Sequence, residues 1–291
     1  MFTEIFSIIA PVLICAAIGF IWAKCGKPYD TELITSIVSY FGTPCLLFYS
    51  LATVKLAPQT LYIIGAAALS ANAAFIVIGG CLLALLKLPQ RAFLQTLSFP
   101  NIGNIGLPLC FLAFGEEGLA LGITFFAVYV IFQMTVGAAF VSGSFSPASL
   151  VKMPIIPATL FAVFFLFTKI PIPEWLYNTT KLIGDLTIPL MLFTLGVSLS
   201  RLKVKNLFIP LILSVSRLTM GFAVGILLVF LFQLSGAVAG VVIIECAMPA
   251  AVFCYLFAQL YNQRPEDVAG TVVVSTILSF ILLPALLWFV L

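Results

Sequence analysis

The stretch Ser98-Phe-Pro-Asn-Ile-Gly-Asn-Ile-Gly-Leu-Pro108 places two prolines, two asparagines and two glycines inside a segment that is otherwise apolar enough to cross a membrane. Pro108 lacks a backbone N–H and its ring clashes with the preceding turn, whereas Gly103 and Gly106 permit backbone angles that other residues resist. We therefore expect a helix to be interrupted here. In hydrocarbon every freed N–H and C=O needs a partner, so an interruption persists only where it faces protein or a polar cavity.

The same stretch supplies polar side chains at the interruption. Asn101 and Asn104 place amide groups beside the helix ends that the interruption exposes. Capping those ends is one role for the amides, and binding a substrate is another role that is compatible with it. We interpret the stretch as a candidate binding site.

Composition places the chain in a membrane. Of its 291 residues, 63% are hydrophobic and 8% are charged, and the mean hydropathy is +1.25. A soluble domain of this size needs more polar surface, so we predict an all-α integral membrane protein. The formal charge of +3 comes from Lys and Arg clusters between apolar spans. Such clusters indicate topology rather than a surface for nucleic acid.

The chain lacks the residue patterns of metal sites, cofactor sites and intramembrane enzymes. It has no histidine, and its seven cysteines are scattered without CxxC spacing. A metal site, a disulfide framework or another cofactor is therefore not expected. An intramembrane enzyme finds little support, because the chain also has no HExxH motif, no pair of membrane aspartates with catalytic spacing and no nucleotide motif.

A helix needs about 20 residues to cross the bilayer core, and ten such spans fit the chain. We place them at 4–23, 31–53, 59–86, 91–114, 117–141, 150–168, 174–199, 206–232, 235–262 and 266–290. One set of alternate connectors carries nine basic residues, Lys24, Lys27, Lys87, Arg91, Lys152, Arg201, Lys203, Lys205 and Arg264. The other set carries two, Lys55 and Lys169. The positive-inside rule then puts both termini outside the cytoplasm.

The two halves of the chain resemble each other. A shift of 145 residues aligns Pro44 with Pro189, and it sets Asn72 opposite Arg217. Because each half has five spans, an odd number, the halves must insert with opposite topology. The sequence thus predicts two inverted repeats, an arrangement found in many secondary transporters. The repeats are residues 1–145 and 146–291.

A second interruption appears where the repeat requires one, in Glu245-Cys-Ala-Met-Pro-Ala250. A slightly different shift, of 141 residues, matches Pro249 with Pro108. We expect spans four and nine to be broken near mid-membrane and to cross there antiparallel. Their second halves would begin near the two prolines, in the first-turn position that proline favours, and would aim two electropositive helix N-termini at one point. The plainer alternative is that the prolines only kink two apolar helices.

The chain resembles the auxin efflux carrier family in three features. These are ten spans arranged as five plus five, the Asn-Ile-Gly-Asn-Ile-Gly-Leu-Pro108 break and the Ala-Met-Pro249 break. This family includes plant PIN proteins and bacterial dicarboxylate carriers of the malonate type. The resemblance covers essentially the whole chain. The long cytoplasmic loop of many plant members is missing between spans five and six, so the chain is more similar to the bacterial branch.

The resemblance implies a fold and a mechanism. Family members share the crossover fold of bile-acid sodium symporters and sodium/proton antiporters, in which spans 1, 2, 6 and 7 form a scaffold. Spans 3–5 and 8–10 form a mobile transport unit. The resemblance further implies transport of organic anions across the cell membrane by an elevator-like movement, and a homodimer that forms through the scaffold.

Four charged residues lie well inside the spans, away from their ends: Lys181, Asp185, Arg217 and Glu245. A charge near the bilayer centre costs about 2.5–3.5 kcal/mol on insertion scales, so each should face protein or water. Arg217 and Glu245 are the deepest, and either a structural ion pair or a functional role fits them. Asp185 either pairs with Lys181, four residues earlier, or lines the substrate path.

The functional interpretation of Glu245 is cation coupling. A carboxylate beside the carbonyls of a broken helix suits Na⁺ or H⁺ as the coupling ion. Glu245-Cys-Ala-Met248 is also similar to the sodium-binding crossover of bile-acid symporters. Glu245 and Met248 are therefore the candidate ion-coupling residues.

The sequence as a whole predicts a secondary active transporter of small organic anions, mono- or dicarboxylates, that crosses the cell membrane many times. The anion would bind at the crossover through Asn101, Asn104 and the two helix N-termini, with Arg217 as a counter-charge. The other candidate substrate residues are Asn72, Gly103, Gly106, Pro108, Asp185 and Pro249. The expected partners are the anion and the lipid bilayer, not nucleic acid. A sodium/proton antiporter, a sodium-coupled symporter of the bile-acid type and a channel are the alternatives within transport.

Overall fold

A computed structural model of the protein describes residues 2–53, 57–143, 161, 164–165, 172–202, 204 and 206–291. Over these ranges every regular element is helical. The α-helices are α1 Phe2–Lys24, α2 Thr31–Ile37, α3 Thr43–Thr53, α4 Pro58–Leu85, α5 Gln90–Ser98, α6 Leu107–Phe132, α7 Ala138–Ser142, α8 Glu174–Asp185, α9 Thr187–Arg201, α10 Phe208–Leu231, α11 Gly236–Ala247, α12 Val252–Leu260 and α13 Pro265–Val290. Within the same ranges, π-helical turns lie at Val38–Gly42, Ile102–Gly106 and Gln133–Gly137.

Seven helical stretches of the described chain are long and apolar enough to cross a membrane. They are Thr3–Lys24, Thr31–Leu51, Gln59–Leu85, Ile102–Ser142, Glu174–Arg201, Phe208–Leu231 and Pro265–Val290. Together with the lack of strands in the described ranges, they agree with the all-α integral membrane protein that the composition predicts. Helices α4, α10 and α13 begin and end within two residues of predicted spans. The predicted sixth span, 150–168, lies mostly outside the described residues.

The stretch Ile102–Ser142 is too long for a single crossing. As a straight helix, its 41 residues would extend over about 60 Å, twice the thickness of the hydrocarbon core. Gly115, with φ 65° and ψ −150°, departs from helical geometry. A Cβ on Gly118 would lie 2.3 Å from the carbonyl oxygen of Cys110, whereas residues eight apart on a straight helix are separated by about 12 Å. The chain therefore folds back at Gly115, between the predicted fourth and fifth spans.

Helices α1 and α9 pack backbone against backbone. A Cβ added to Gly196 would lie 1.9 Å from the carbonyl oxygen of Ala16, and one added to Gly19 would lie 2.1 Å from that of Phe193. Small residues let two helices approach this closely, which is a common way for helices to pack in membranes. Trp22 packs edge-to-face on Phe193 beside this contact. The contact joins the first predicted span to the seventh.

The close approach of α1 and α9 predicts that Gly196→Ala destabilises the protein. The added methyl group overlaps the Ala16 carbonyl, and overpacking of this kind costs about 1–3 kcal/mol. We expect a lower unfolding temperature in detergent. Gly65→Ala on α4 is the matched control, because nothing lies within 4 Å of the position that its Cβ would take. Equal unfolding temperatures for the two variants would contradict the close approach.

Candidate functional site

Helices end at both interruptions that the sequence predicts, and the two interruptions lie against each other. The first break is residues 99–101, after α5, and the second break is residues 248–251, after α11. The N–H of Asn101 donates to the carbonyl of Pro249 at 2.7 Å. The N–H of Ala251 donates to the carbonyl of Phe99 at 3.0 Å. The resulting bridge is antiparallel, so each break satisfies backbone groups of the other.

The glycines and prolines at the two breaks differ in role from the sequence expectation. Gly106 has a helical φ of −62°, and neither it nor Gly103 has a positive φ. These glycines therefore provide space rather than unusual backbone angles. Pro108 lies in the first turn of α6, as expected. The first-turn position predicted for Pro249 is wrong, because this residue lies in the second break and α12 begins at Val252. Proline suits an extended break because it has no N–H to satisfy.

Arg217 on α10 is fully buried against both breaks. Its Nη1 donates to the carbonyl of Leu97 at 2.6 Å. Its Nη2 donates to the carbonyl of Cys246, and its Nε donates to that of Met248 at 3.3 Å. The guanidinium also lies over the ring of Phe75, 4.2 Å from the ring centre. Its hydrogen bonds are thus made to backbone, and it does not line the cavity described below.

The carbonyls that Arg217 binds are those that helix ends leave without partners. Leu97 and Cys246 lie in the last turns of α5 and α11. The last four carbonyls of a helix have no partner within it, and they form the negative end of its dipole. One guanidinium therefore stabilises two helix C-termini at once, together with the backbone of the second break. Cation–π contact with Phe75 adds to this.

Glu245, in the last turn of α11, is fully buried. Its Oε1 accepts a hydrogen bond from Cys110 Sγ at 3.5 Å, and its Oε2 has no hydrogen-bond partner among the described residues. A Cβ on Gly106 would lie 1.9 Å from Oε2, and a Cβ on Gly122 would lie 3.0 Å from Oε1. The carboxyl thus fills space that two glycines leave. The described chain has no ion pair between Glu245 and Arg217, so that interpretation of the two residues is wrong.

A cavity of about 490 Å³ opens beside the first break. Three of the candidate substrate residues, Asn101, Gly103 and Asn104, line it. Val252, the first residue of α12, lines it as well. The N-terminal ends of the helical segments that follow both breaks therefore border the cavity. Its volume is in the range of small-molecule sites, about 300–1,000 Å³.

Two amide groups at this cavity have N–H donors without acceptors. Asn101 Nδ2 and Gln133 Nε2 are buried and have no hydrogen-bond partner among the described residues, and both residues line the cavity. Leaving a buried donor unsatisfied costs about 1–3 kcal/mol, and such donors are rare in folded proteins. Acceptor oxygens placed in this cavity would satisfy both donors.

Sequence reasoning did not identify Gln133. It is a single glutamine within the predicted span 117–141, and no motif or repeat links it to Asn101. The available signal was its position, because a polar side chain deep in an apolar span needs a partner. In the structure it begins the π-helical turn Gln133–Gly137, with 5% of its surface exposed.

Helix α9 adds hydroxyl groups to the cavity wall through Thr194 and Ser198. Thr194 Oγ1 forms a hydrogen bond of 2.6 Å with the hydroxyl of Tyr29. Tyr29 lies in the connector between α1 and α2. Burial raises the pKa of Tyr29, and the hydrogen bond with Thr194 partly offsets this effect. Tyr29 therefore stays neutral at physiological pH and positions Thr194.

The remaining candidate residues lie outside the cavity lining. Asp185 forms an ion pair with Lys181 at 3.1 Å, with 50% of its side chain exposed, and it accepts a hydrogen bond from the Tyr49 hydroxyl. Asn72 is buried on α4, where its Nδ2 donates to the carbonyl of Ala68 at 3.0 Å. The others outside the lining are Gly106, Pro108, Arg217 and Pro249. Among the described residues, no group of three or more His, Cys, Asp and Glu could hold a metal ion.

Two comparisons with known proteins agree with this architecture. A family model described as "Membrane transport protein" matches residues 4–148 and 138–288. A protein of Methanocaldococcus jannaschii, described as an uncharacterized transporter, is 25% identical over an alignment of 296 positions that covers 95% of each chain. The matches cover almost the whole chain and confirm the resemblance that its two breaks carry. The chain belongs to the membrane transport protein family, the family of the auxin efflux carriers.

Proposed function

We propose that the protein is a secondary active transporter of small organic anions, mono- or dicarboxylates. Its family supports a role in transport. The observation that carries the substrate class is the pair of unpartnered amide donors, Asn101 Nδ2 and Gln133 Nε2, at one cavity. A carboxylate accepts hydrogen bonds at both of its oxygens and donates none, so it complements two N–H groups.

The charge environment of the cavity also favours an anion. Helical segments begin at the cavity after both breaks, at Ile102 and Val252, and helix N-termini attract negative charge. No Lys or Arg lines the cavity in the described part of the chain. The anion is therefore held by neutral donors and dipoles. Such a site binds a carboxylate without a buried ion pair, whose rupture at each release would be costly.

Alternating access by an elevator-type movement is the mechanism we propose, on a fold of ten spans in two inverted repeats, residues 1–145 and 146–291. Supporting observations are the antiparallel pairing of the two breaks, the reversal at Gly115 and the fit of several helix bounds to predicted spans. Spans 1, 2, 6 and 7 would form the scaffold and the homodimer contact, while spans 3–5 and 8–10 would carry the anion. Both termini would lie on the non-cytoplasmic side of the cell membrane.

The main rival within transport is a sodium/proton antiporter or a sodium-coupled symporter of the bile-acid type. A metal cation at the second break needs carbonyl oxygens as ligands. Arg217 already binds the carbonyls of Cys246 and Met248, and Asn101 binds that of Pro249. This occupancy favours the organic-anion transporter.

The anion site predicts two variants with reduced binding. Gln133→Met removes one N–H donor, and because a hydrogen bond to a charged group is worth about 1.5–3 kcal/mol, the Kd should rise roughly 10- to 100-fold. Asn104→Asp adds a negative charge at the cavity and should abolish binding of an anion. The measurement is the shift in unfolding temperature of purified protein with malonate or indole-3-acetate, since a ligand that binds only the folded state stabilises it.

Two matched controls accompany these variants. Gln259→Met changes an exposed glutamine on α12, and Asn206→Asp changes an exposed asparagine whose Oδ1 accepts from the N–H of Phe208, which a carboxylate can also do. Both should retain the ligand-induced shift of the wild type. If Gln133→Met and Asn104→Asp both keep the full ligand-induced shift in unfolding temperature, the substrate site is not at this cavity.

The proposed orientation predicts the location of two connectors. A reporter fused after Arg91, before the first break, should score cytoplasmic, because Arg91 belongs to the strongly basic set of connectors. A reporter fused after Glu117, beyond the reversal at Gly115, should score external. Reporters that score on the same side would refute a crossing between these two positions.

A further inference from the structure

Glu245 is the one fully buried acid among the ten Asp and Glu residues of the chain, all of which lie in the described ranges. Eight of the others are exposed and one is partly exposed. An ionised carboxylate in an apolar environment is very costly unless it is paired or hydrogen-bonded. The groups that surround this carboxyl therefore decide whether it is protonated or ionised.

The immediate neighbours of the Glu245 carboxyl supply one weak donor. Cys110 Sγ donates to Oε1, while Oε2 has no hydrogen-bond partner in the described chain. Gly106 and Gly122 press against the two oxygens. A thiol is a weak hydrogen-bond donor, and it cannot replace the water shell of a carboxylate. The pocket is shaped for a carboxyl group without charge.

The charged and titratable groups on the described elements around Glu245 do not compensate a negative charge here. Arg217 on α10 directs its N–H groups to backbone carbonyls. Cys246 on α11 and Tyr129 on α6 also face this region, but Tyr129 donates its hydroxyl to the carbonyl of Ser98. Neither of them carries a positive charge.

The two other helices that pack on α11 add no compensating charge either. Helix α4 contains no charged residue. Helix α13 has two acids, Glu266 and Asp267, in its first turn. Ser275 of α13 binds the second break through the N–H of Ala250, so the acids lie at least eight residues, or about 12 Å, farther along that helix.

A metal cation does not fit this position. Hard cations, Na⁺ among them, are held by several oxygen ligands, which they take from carboxylates, carbonyls and water. The carbonyls nearest in sequence, Cys246 and Met248, are bound by Arg217. The Cys110 thiol donates to the carboxyl, and Gly106 and Gly122 lie against it without side chains, so none of these three residues supplies a side-chain oxygen as a ligand. Arg217 is a fixed positive charge on these carbonyls, and it would repel a metal cation that approached the same oxygens.

We propose that Glu245 is a proton-binding site and that H⁺, not Na⁺, is the coupling ion of the transporter. The coupling part of this proposal rests on the proposed function. In the described state the carboxyl is neutral, with its proton on one oxygen. Release of the proton leaves a carboxylate, which cannot remain in this pocket without a counter-charge.

The position of Glu245 connects proton release to the anion site. Its Oε2 touches Gly106, the last residue of the π-helical turn Ile102–Gly106, and Asn104 of the same turn lines the cavity. Ionisation requires this turn and α11 to separate so that water reaches the carboxylate. One proton then binds or leaves each time the contact closes or opens.

Infrared spectroscopy of purified protein tests the proton site without any substrate. In a maltoside detergent, which has no carbonyl group, the wild type at pH 7 should show the C=O stretch of a protonated carboxylic acid. Glu245→Gln should lose this band, and Glu117→Gln, which changes an exposed acid, should retain it. Cys110→Ala should shift the band, because it removes the thiol donor, and this variant serves if Glu245→Gln does not fold. A wild-type spectrum without the band would overturn the proposal.

Transport in proteoliposomes tests the coupling, with malonate and indole-3-acetate as probes. Exchange of labelled for unlabelled probe needs no gradient. If the wild type shows no exchange, the proposed function is refuted, and the coupling with it. The infrared result still decides the protonation state of Glu245. Given exchange, a pH gradient should drive accumulation in the wild type and in Glu117→Gln. Glu245→Gln should exchange the probe but lose at least tenfold in accumulation. Accumulation driven by a Na⁺ gradient, or unchanged in Glu245→Gln, would overturn the proton coupling.

Discussion

The guanidinium of Arg217 on three backbone carbonyls is the interaction on which the site depends. Two helices end in the interior of the protein, where the carbonyls of the buried residues Leu97 and Cys246 have no water to bind. Leaving a buried carbonyl without a donor costs about 1–3 kcal/mol. A planar guanidinium offers several N–H groups in fixed directions and stacks on an aromatic ring, which lysine does not reproduce. Arg217 and Phe75 together use these properties.

This arrangement determines what remains free at the crossing. Because the breaks satisfy each other and Arg217 satisfies the helix ends, these backbone groups have hydrogen-bond partners within the protein before any ligand binds. Among the described side chains around the crossing, those without a hydrogen-bond partner include the cavity amides of Asn101 and Gln133 and one carboxyl oxygen of Glu245, as well as Ser98 Oγ and the amide of Gln95, which do not line the cavity. The cavity amides of Asn101 and Gln133 suit an anion, and the carboxyl of Glu245 suits a proton. The proposed anion site and the proposed proton site would then lie within a few helical turns of each other.

The sequence predicts the architecture more fully than the site. Prolines locate the breaks, because the backbone chemistry of proline is local and depends on no distant residue. The relation of Arg217 to Glu245 could not be predicted in this way. Two opposite charges at similar depth suggest an ion pair. Only the structure shows that the guanidinium donates to backbone carbonyls instead. Gly106 is likewise explained by the space that Glu245 takes, which no sequence pattern indicates.

The most direct test of this account is a cryo-EM map of the protein with bound malonate. We predict density for a carboxylate group within hydrogen-bond distance of Asn101 Nδ2 and Gln133 Nε2, with Arg217 still on the carbonyls of Leu97, Cys246 and Met248. Malonate bound outside the cavity would contradict the account. So would an Arg217 side chain that has left the carbonyls to pair with the ligand, because the crossing would then not be held by the protein alone.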